Sequence, residues 1–194
     1  MNKIVVTAFE PFGIIPTNSS LEILKTLSED YQKIVLPVSY EKCDTLLKDI
    51  LLNQKPDYLI LLGQAQNRHT ISLEQGAINL INTSTRDNDG KFYLNKIIKE
   101  DGNDGYFNTI DASRLVEELA STYPISLSYS AGVYVCNYVF YLALYYVSKL
   151  NLSTKIGFIH FPLYQHQTED SLSTLELDTM VKATNHILQL LLNK

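Results

Sequence analysis

Three residues far apart in the chain carry side chains that could work together: Cys136, His160 and Glu74. Cys136 follows Gly132 at what reads as the start of a helix. A helix N-terminus offers partial positive charge and unpaired N–H groups, and both favour the thiolate, the reactive form of cysteine. An imidazole beside it lowers the thiol pKa further and serves first as general base, then as general acid. A carboxylate on the other ring nitrogen fixes the tautomer and steadies the imidazolium. Together they would perform acyl transfer through a thioester. Taken singly, each has a plainer reading: a buried structural cysteine, a satisfied core histidine, a glutamate on a solvated face.

The elements that must position these groups alternate along the chain. Ile4–Ala8, Lys33–Val38, Tyr58–Leu62, Ile125–Ser130 and Ile156–His160 read as strands. Tyr58–Leu62 is continuously apolar, as in a strand buried on both faces of a parallel sheet. Helices are expected from a cap at Ser19 or Ser20 to about Glu29, over Glu41–Asn53, from an Asp111 cap to about Thr122, over Tyr134–Leu150, and over Leu172–Leu192. His69–Leu80 reads as extended, and 82–108 as a long polar loop with a turn at Asp87–Gly90. Strands alternating with helices imply right-handed crossovers and a fold of the α/β class: a single domain over residues 1–194, three layers α/β/α, with a mainly parallel (mixed) twisted sheet. Three of the four segments with chemical potential fall at C-terminal ends of predicted strands, where open α/β sheets place their sites. The four are Thr7–Gly13, Gly63–Ala65 with Arg68 and Glu74 downstream, Ser130–Asn137, and Gly157–Pro162.

Composition narrows the classes. The 194 residues are 45% hydrophobic and 19% charged, a globular balance. Lys plus Arg less Asp plus Glu is 16 − 21 = −5 with no basic cluster, which argues against nucleic acid. Two cysteines, Cys43 and Cys136, exclude a disulfide scaffold and fit reduced thiols in a cytoplasmic protein. Ile4–Phe9 is too short for a signal-peptide core. Tyr138–Val147 is too short to span a membrane and reads as a buried helix. There is no Gly-x-Gly-x-x-Gly, Walker-type loop, Gly-x-Ser-x-Gly elbow or His-Glu-x-x-His, so no cofactor is expected. His69, His160, His166 and His186 lack metal spacing, and no metal is expected.

The segments taken together resemble the pyroglutamyl peptidase (pyrrolidone-carboxylate peptidase) family of cysteine peptidases. The resemblance runs from Ile4 to about Gln167. It is carried by Thr7-Ala8-Phe9-Glu10-Pro11-Phe12-Gly13 with Asn18-Ser19-Ser20, by Leu62-Gly63-Gln64-Ala65, and by Leu73-Glu74 with Ala77-Ile78-Asn79. Ser128-x-Ser130-Ala131-Gly132-x-Tyr134-Val135-Cys136-Asn137 and Gly157-Phe158-Ile159-His160 before Pro162 complete it. The resemblance implies Cys136 as nucleophile, His160 as its base and Glu74 as the orienting carboxylate. It implies Phe9 and Phe12 flanking a pyrrolidone ring and Gln64 near the lactam. Tyr134 and Val135 belong to the same substrate-binding set. Asn18 is either part of that set or a helix cap. Arg68 is an oxyanion donor or a support of the site.

The substrate class suits these residue types. Pyroglutamate is a neutral lactam without a free amine, so its pocket needs flat apolar walls and a few dipoles, without charge. The implied partners are peptides with N-terminal pyroglutamate. The implied assembly is a homo-oligomer, dimer or tetramer, with the helix Tyr138–Tyr146 or the C-terminal helix as surface or as core. The sequence departs from the family at Gln66-Asn67, Gln75-Gly76, Tyr129 and Tyr138. A relative that binds a lactam-like ligand or a protein partner without turnover is the alternative. Two further expectations follow. Cys43, beside Glu41 and Asp44, should be the inert thiol. Gly76 should loosen the glutamate segment, so that a branched residue there is neutral or beneficial.

Overall fold

A computed structural model describes residues 3–168 and 174–193. The apolar run after Lys3 forms strand β1 (Ile4–Phe9), all six residues buried. Asn18 caps helix α1 (Ser19–Thr26), its carboxamide oxygen accepting from the Ser20 N–H. The cap is one residue earlier than Ser19, because the asparagine also reaches back to the Glu10 carbonyl. Strand β2 (Gln32–Leu36) leads to helix α2 (Tyr40–Asp49), capped by Ser39 and continued as a single π-type turn, Ile50–Gln54, that ends on left-handed Lys55. Strands β3 (Tyr58–Gln64) and β4 (Ile71–Glu74) follow.

The polar stretch expected as loop holds short strands: β5 (Gly76–Ile78), β6 (Ile81–Thr83), β7 (Tyr93–Lys96) and β8 (Gly105–Phe107). β6 pairs with β7, and β5 with β8. A buried carboxylate organises the turn between β6 and β7: Asp87 accepts from the backbone N–H groups of Tyr40, Asp89 and Lys91. Polarity here serves internal hydrogen bonding. The chain continues as α3 (Ala112–Leu119), capped by Asp111 as expected, then β9 (Ile125–Ser128), α4 (Val135–Lys149) and β10 (Lys155–Phe161). The pair β11 (Leu163–Tyr164) and β12 (Thr174–Leu175) precedes α5 (Leu177–Leu192). The C-terminal helix therefore starts later than expected; Leu172 lies outside the described residues.

The main sheet has the order β2-β1-β3-β10-β4-β9. β2, β1, β3 and β10 are parallel, β4 pairs antiparallel to β10, and β9 runs parallel to β4. The sheet is thus mixed, with four strands one way and two the other. Alternation splits its side chains between two cores. Val5, Leu59, Leu61, Ile156 and Phe158 pack with α2 and α4. Val6, Ile60, Leu62, Ile71, Leu73, Ile159 and Phe161 pack with α1, α3 and α5. The three layers are those expected from sequence. Helix α4 is buried on most faces, with Val139–Val147 all buried. Its tyrosines are tied internally: Tyr141 donates to the Asn103 carbonyl, Tyr145 to Asp101 and Tyr146 to Asp44. No helix among the described residues is long and apolar enough to cross a membrane.

Candidate active site

His160 points to the α4 side of the sheet, because it shares the face of Ile156 and Phe158 on β10. Antiparallel pairing sets it opposite Ser72. Glu74, two residues on, is then its diagonal neighbour on the same face. The two side chains meet: His160 Nδ1 lies 2.7 Å from Glu74 Oε1, in a buried pair 86 residues apart in sequence. An ionised carboxylate only accepts, so Nδ1 carries the proton and Nε2 is left free to act as base. The ring packs on Phe158 at 4.7 Å between centroids. Gly63, its parallel partner on β3, makes room: a Cβ there would sit 2.9 Å from the Phe158 ring and 3.1 Å from His160 Cδ2.

Arg68 holds the other side of the carboxylate. Its Nη2 lies 3.1 Å from Glu74 Oε1, 2.9 Å from Ser128 Oγ and 2.9 Å from the Ser130 carbonyl. Glu74 Oε2 is buried and finds no partner among the described residues. The Glu74 side chain is 0% exposed and that of Arg68 33%.

Cys136 is the second residue of α4. The turn before it passes through Gly132 at φ +82°, a conformation that favours glycine. The N-cap residue, Tyr134, gives no side-chain cap, so the first N–H groups of the helix have no capping side chain. The surroundings of Cys136 act against the thiolate expected from the helix start. The Cys136 thiol is pushed up to about 12, by burial first and then by the negative charge of Glu74 and by Cys43. Burial and the Glu74 charge disfavour the thiolate, while the N–H groups at the helix start favour it. Cys43 is also pushed up to about 12, by burial and then by Glu10 and Asp87, not by its sequence neighbours Glu41 and Asp44. The two thiols differ in access and bonding. Cys43 is buried and donates to the Pro37 carbonyl at 3.0 Å, whereas Cys136 is partly exposed.

The residues expected around a lactam are only partly gathered in the open. Phe9 is fully buried in the core on the α4 side. Phe12 is partly buried and faces Tyr134 at 6.1 Å between ring centroids. Tyr134 donates to the Arg86 carbonyl, and Val135 is buried at the first turn of α4. Gln64 uses its carbonyl oxygen to accept from the Ser19 N–H at 2.7 Å and from Gln167 Nε2 at 2.6 Å, tying β3 to the start of α1. Asn18 is committed to the cap. Among the described residues no group of three His, Cys, Asp or Glu side chains is placed to hold a metal ion.

The model of the family described as pyroglutamyl peptidase matches residues 2–192. The chain belongs to the pyroglutamyl peptidase family. The pyrrolidone-carboxylate peptidase of Brachyspira hyodysenteriae is 37% identical to it over 195 residues, covering 96% of this chain and 97% of that one. Pyrrolidone-carboxylate peptidase 2 of Caldanaerobacter subterraneus is 38% identical over 193 residues, covering 93% and 92%. Among solved structures, the pyrrolidone carboxyl peptidase of Thermococcus litoralis superposes with a TM-score of 0.93 at 31% identity, covering 100% of this chain and 94% of that one. Pyroglutamyl peptidase I of Bacillus amyloliquefaciens superposes at 0.90 with 32% identity, covering 95% and 93%.

Within this pyroglutamyl peptidase fold, sequence reading missed several residues that brace the site. Asn137, directly after Cys136, is buried; its oxygen accepts from the Ile78 N–H and its nitrogen donates to the Ile78 and Leu80 carbonyls. It locks the segment after Glu74 onto the helix of Cys136. Asn79 likewise binds the backbone of Ile98 and Lys99. A buried asparagine in a strongly apolar helix was the available signal, since such a side chain needs partners. Three of the departures from the family, Gln75, Gly76 and Tyr138, have structural roles. Gln75 bonds Asn108 and Ser113, away from Glu74. Tyr129 and Phe107 stand exposed along a shallow cleft lined also by Gly76, Ala77 and Tyr106. The expectation for Gly76 is corrected: a Cβ there would lie 2.7 Å from the Tyr106 carbonyl oxygen, so this glycine permits close pairing of β5 with β8. Tyr138 packs edge-on against Tyr40 at 5.1 Å between ring centroids.

Proposed function

We propose that the chain is a cysteine exopeptidase that hydrolyses the amide bond after an N-terminal pyroglutamyl residue. The buried contact of 2.7 Å between His160 Nδ1 and Glu74 Oε1 carries the reading, with family membership behind it. It orients an imidazole with Nε2 free, on the same side of the sheet as the helix bearing Cys136.

The reaction starts with transfer of the thiol proton. His160 Nε2 takes the Cys136 proton as Sγ attacks the carbonyl carbon following the lactam ring. The oxyanion so formed is stabilised by the backbone N–H groups at the uncapped start of α4. Collapse breaks the C–N bond, and His160 passes its proton to the departing amine. Water, deprotonated by the same nitrogen, then cleaves the thioester and frees pyroglutamate. Glu74 holds the imidazolium through both half-reactions. The lactam ring is received against Phe12 and Tyr134, whose ring centroids lie 6.1 Å apart beside the start of α4.

The reading includes a cytoplasmic location, supported by the free thiols Cys43 and Cys136. It also includes assembly as a homo-oligomer, supported by exposed Phe107 and Tyr129, since the α4 tyrosines are used internally. Release of aminomethylcoumarin from its pyroglutamyl amide tests the activity. Turnover by the wild type and by Cys43→Ala, with none by Cys136→Ala, is expected. Equal cleavage of the glutamyl or prolyl amide, or activity surviving in Cys136→Ala, would refute the reading.

A further inference from the structure

Resting on that function, we propose that Arg68 is a positioning residue which sets the carboxylate arm of the site against the thiol arm, and is not the oxyanion donor. Its three acceptors belong to different segments. Glu74 ends β4 and orients His160. Ser128 ends β9, and Ser130 opens the turn that delivers Cys136. The turn is shaped locally by the Gly132 N–H, which donates to Ser130 Oγ at 3.2 Å. One nitrogen therefore joins the orienting acid to the approach of the nucleophile.

Geometry separates this role from direct catalysis. Nη2 has two N–H groups and already serves three acceptors within 3.1 Å. A donor to the oxyanion must instead be free until the tetrahedral state forms. The unpaired N–H groups at the start of α4 meet that condition; Nη2 does not, and the N–H groups of Nη1 and Nε sit on a planar fork that the three Nη2 contacts already orient toward Glu74, Ser128 and Ser130. The carboxylate depends on Arg68 for a second reason. His160 and Arg68 both bind Oε1, while Oε2 is buried without a partner among the described residues. With Arg68 removed, a single contact is left to hold the orientation of a side chain that is 0% exposed.

Two rates measured on Arg68→Met and Arg68→Lys test the assignment: turnover of the pyroglutamyl coumarin amide and alkylation of Cys136 by iodoacetamide. In alkylation an S–C bond forms, the C–I bond breaks, iodide leaves and the thiol proton passes to His160. No oxyanion arises, so only positioning is read. Arg68→Met should lower kcat and the alkylation rate together, each by about 100-fold, with KM little changed. Arg68→Lys should recover part of both, because a lysine supplies charge without the planar fork. Thermal midpoints identify a variant that has not folded; if Arg68→Met fails, a parallel loss of both rates in Arg68→Lys carries the test. A fall in kcat with unchanged alkylation would make Arg68 an oxyanion donor and overturn the proposal, as would no fall in either rate. A wild type that alkylates at Cys136 but cleaves no pyroglutamyl amide would sink the proposed function, while the alkylation comparison still decides the role of Arg68.

Discussion

Replacing Gly63 with alanine should damage catalysis more than folding, although residue 63 contacts no substrate in the proposed mechanism. The added Cβ would stand 2.9 Å from two carbons of the Phe158 ring and 3.1 Å from His160 Cδ2. Carbon atoms in proteins rest at about 3.5–4.0 Å, so the rings must retreat by roughly 0.5–1 Å. Phe158 is backed by Phe140 at 5.3 Å and leans on His160 at 4.7 Å between centroids, so its displacement reaches the imidazole. Overpacking of this kind costs about 1–3 kcal/mol. The loss of glycine freedom in the unfolded chain returns about 0.4–1 kcal/mol. A net loss of about 1–2 kcal/mol corresponds to a fall of about 2–8 °C in thermal midpoint for a chain of this size. The imidazole loses its alignment on Glu74, and kcat should fall by about 10- to 100-fold with KM little altered. Steady-state kinetics on the coumarin amide and calorimetry on one preparation measure both. A lowered midpoint with wild-type kcat would show that Phe158 yields toward Phe140 and that Gly63 does not space the His160 ring.

Gly76→Val should be destabilising by about 1–3 kcal/mol, because its Cβ meets backbone and not a movable side chain; an unchanged urea midpoint would contradict this. Asn137→Ala strands a backbone N–H and two carbonyls on Ile78 and Leu80 and should cost about 2–4 kcal/mol in urea unfolding, and a loss below about 1 kcal/mol would mean that water replaces the side chain. Alkaline pH should weaken the fold through Cys43. Its folded-state thiol is pushed up to about 12, while the unfolded thiol titrates near 8.5, so its contribution is complete below about pH 8.5 and is lost as pH rises toward 12. Between pH 9 and 11 the stability of the wild type should therefore fall more steeply than that of Cys43→Ala, by about 1.4 kcal/mol per pH unit, and parallel slopes would refute the attribution.

The sequence announced this fold where a local pattern has only one physical outlet. The short apolar runs at Ile4 and Tyr58 read as strands and form them, and Asp111 caps its helix as its position implies. The sense of β4 and β9 was not legible, because strand direction is set by neighbours distant in sequence. The stretch 82–108 read as loop because its organiser is one buried aspartate satisfied by backbone, with no hydrophobic period to report it. Cys136, His160 and Glu74 were legible as candidates through residue types and resemblance. The surroundings of Cys136 were not: a helix start favours a thiolate, whereas burial and the charge of Glu74 push the thiol up. The bracing role of Gln64 was not legible either, since nothing in the sequence shows that its oxygen accepts from the Ser19 N–H and from Gln167. Gly76 looked like slack and is a clearance, because the carbonyl it admits lies on Tyr106, 30 residues along the chain.

The place of β10 in the sheet has a consequence for biosynthesis. It lies between β3 and β4, yet it is the last of the six main strands to leave the ribosome. Until residue 161 has emerged, β3 and β4 cannot be joined through it, and each presents an unpaired edge made of Leu59–Leu62 or Ile71–Leu73, all buried in the finished molecule. Nascent chains in that interval are sticky in the way open edges are, and their central closure waits on contacts of long sequence separation. The strand that carries His160 is also the one whose arrival closes the sheet, so a chain stalled before it lacks that side chain and keeps two open edges at once.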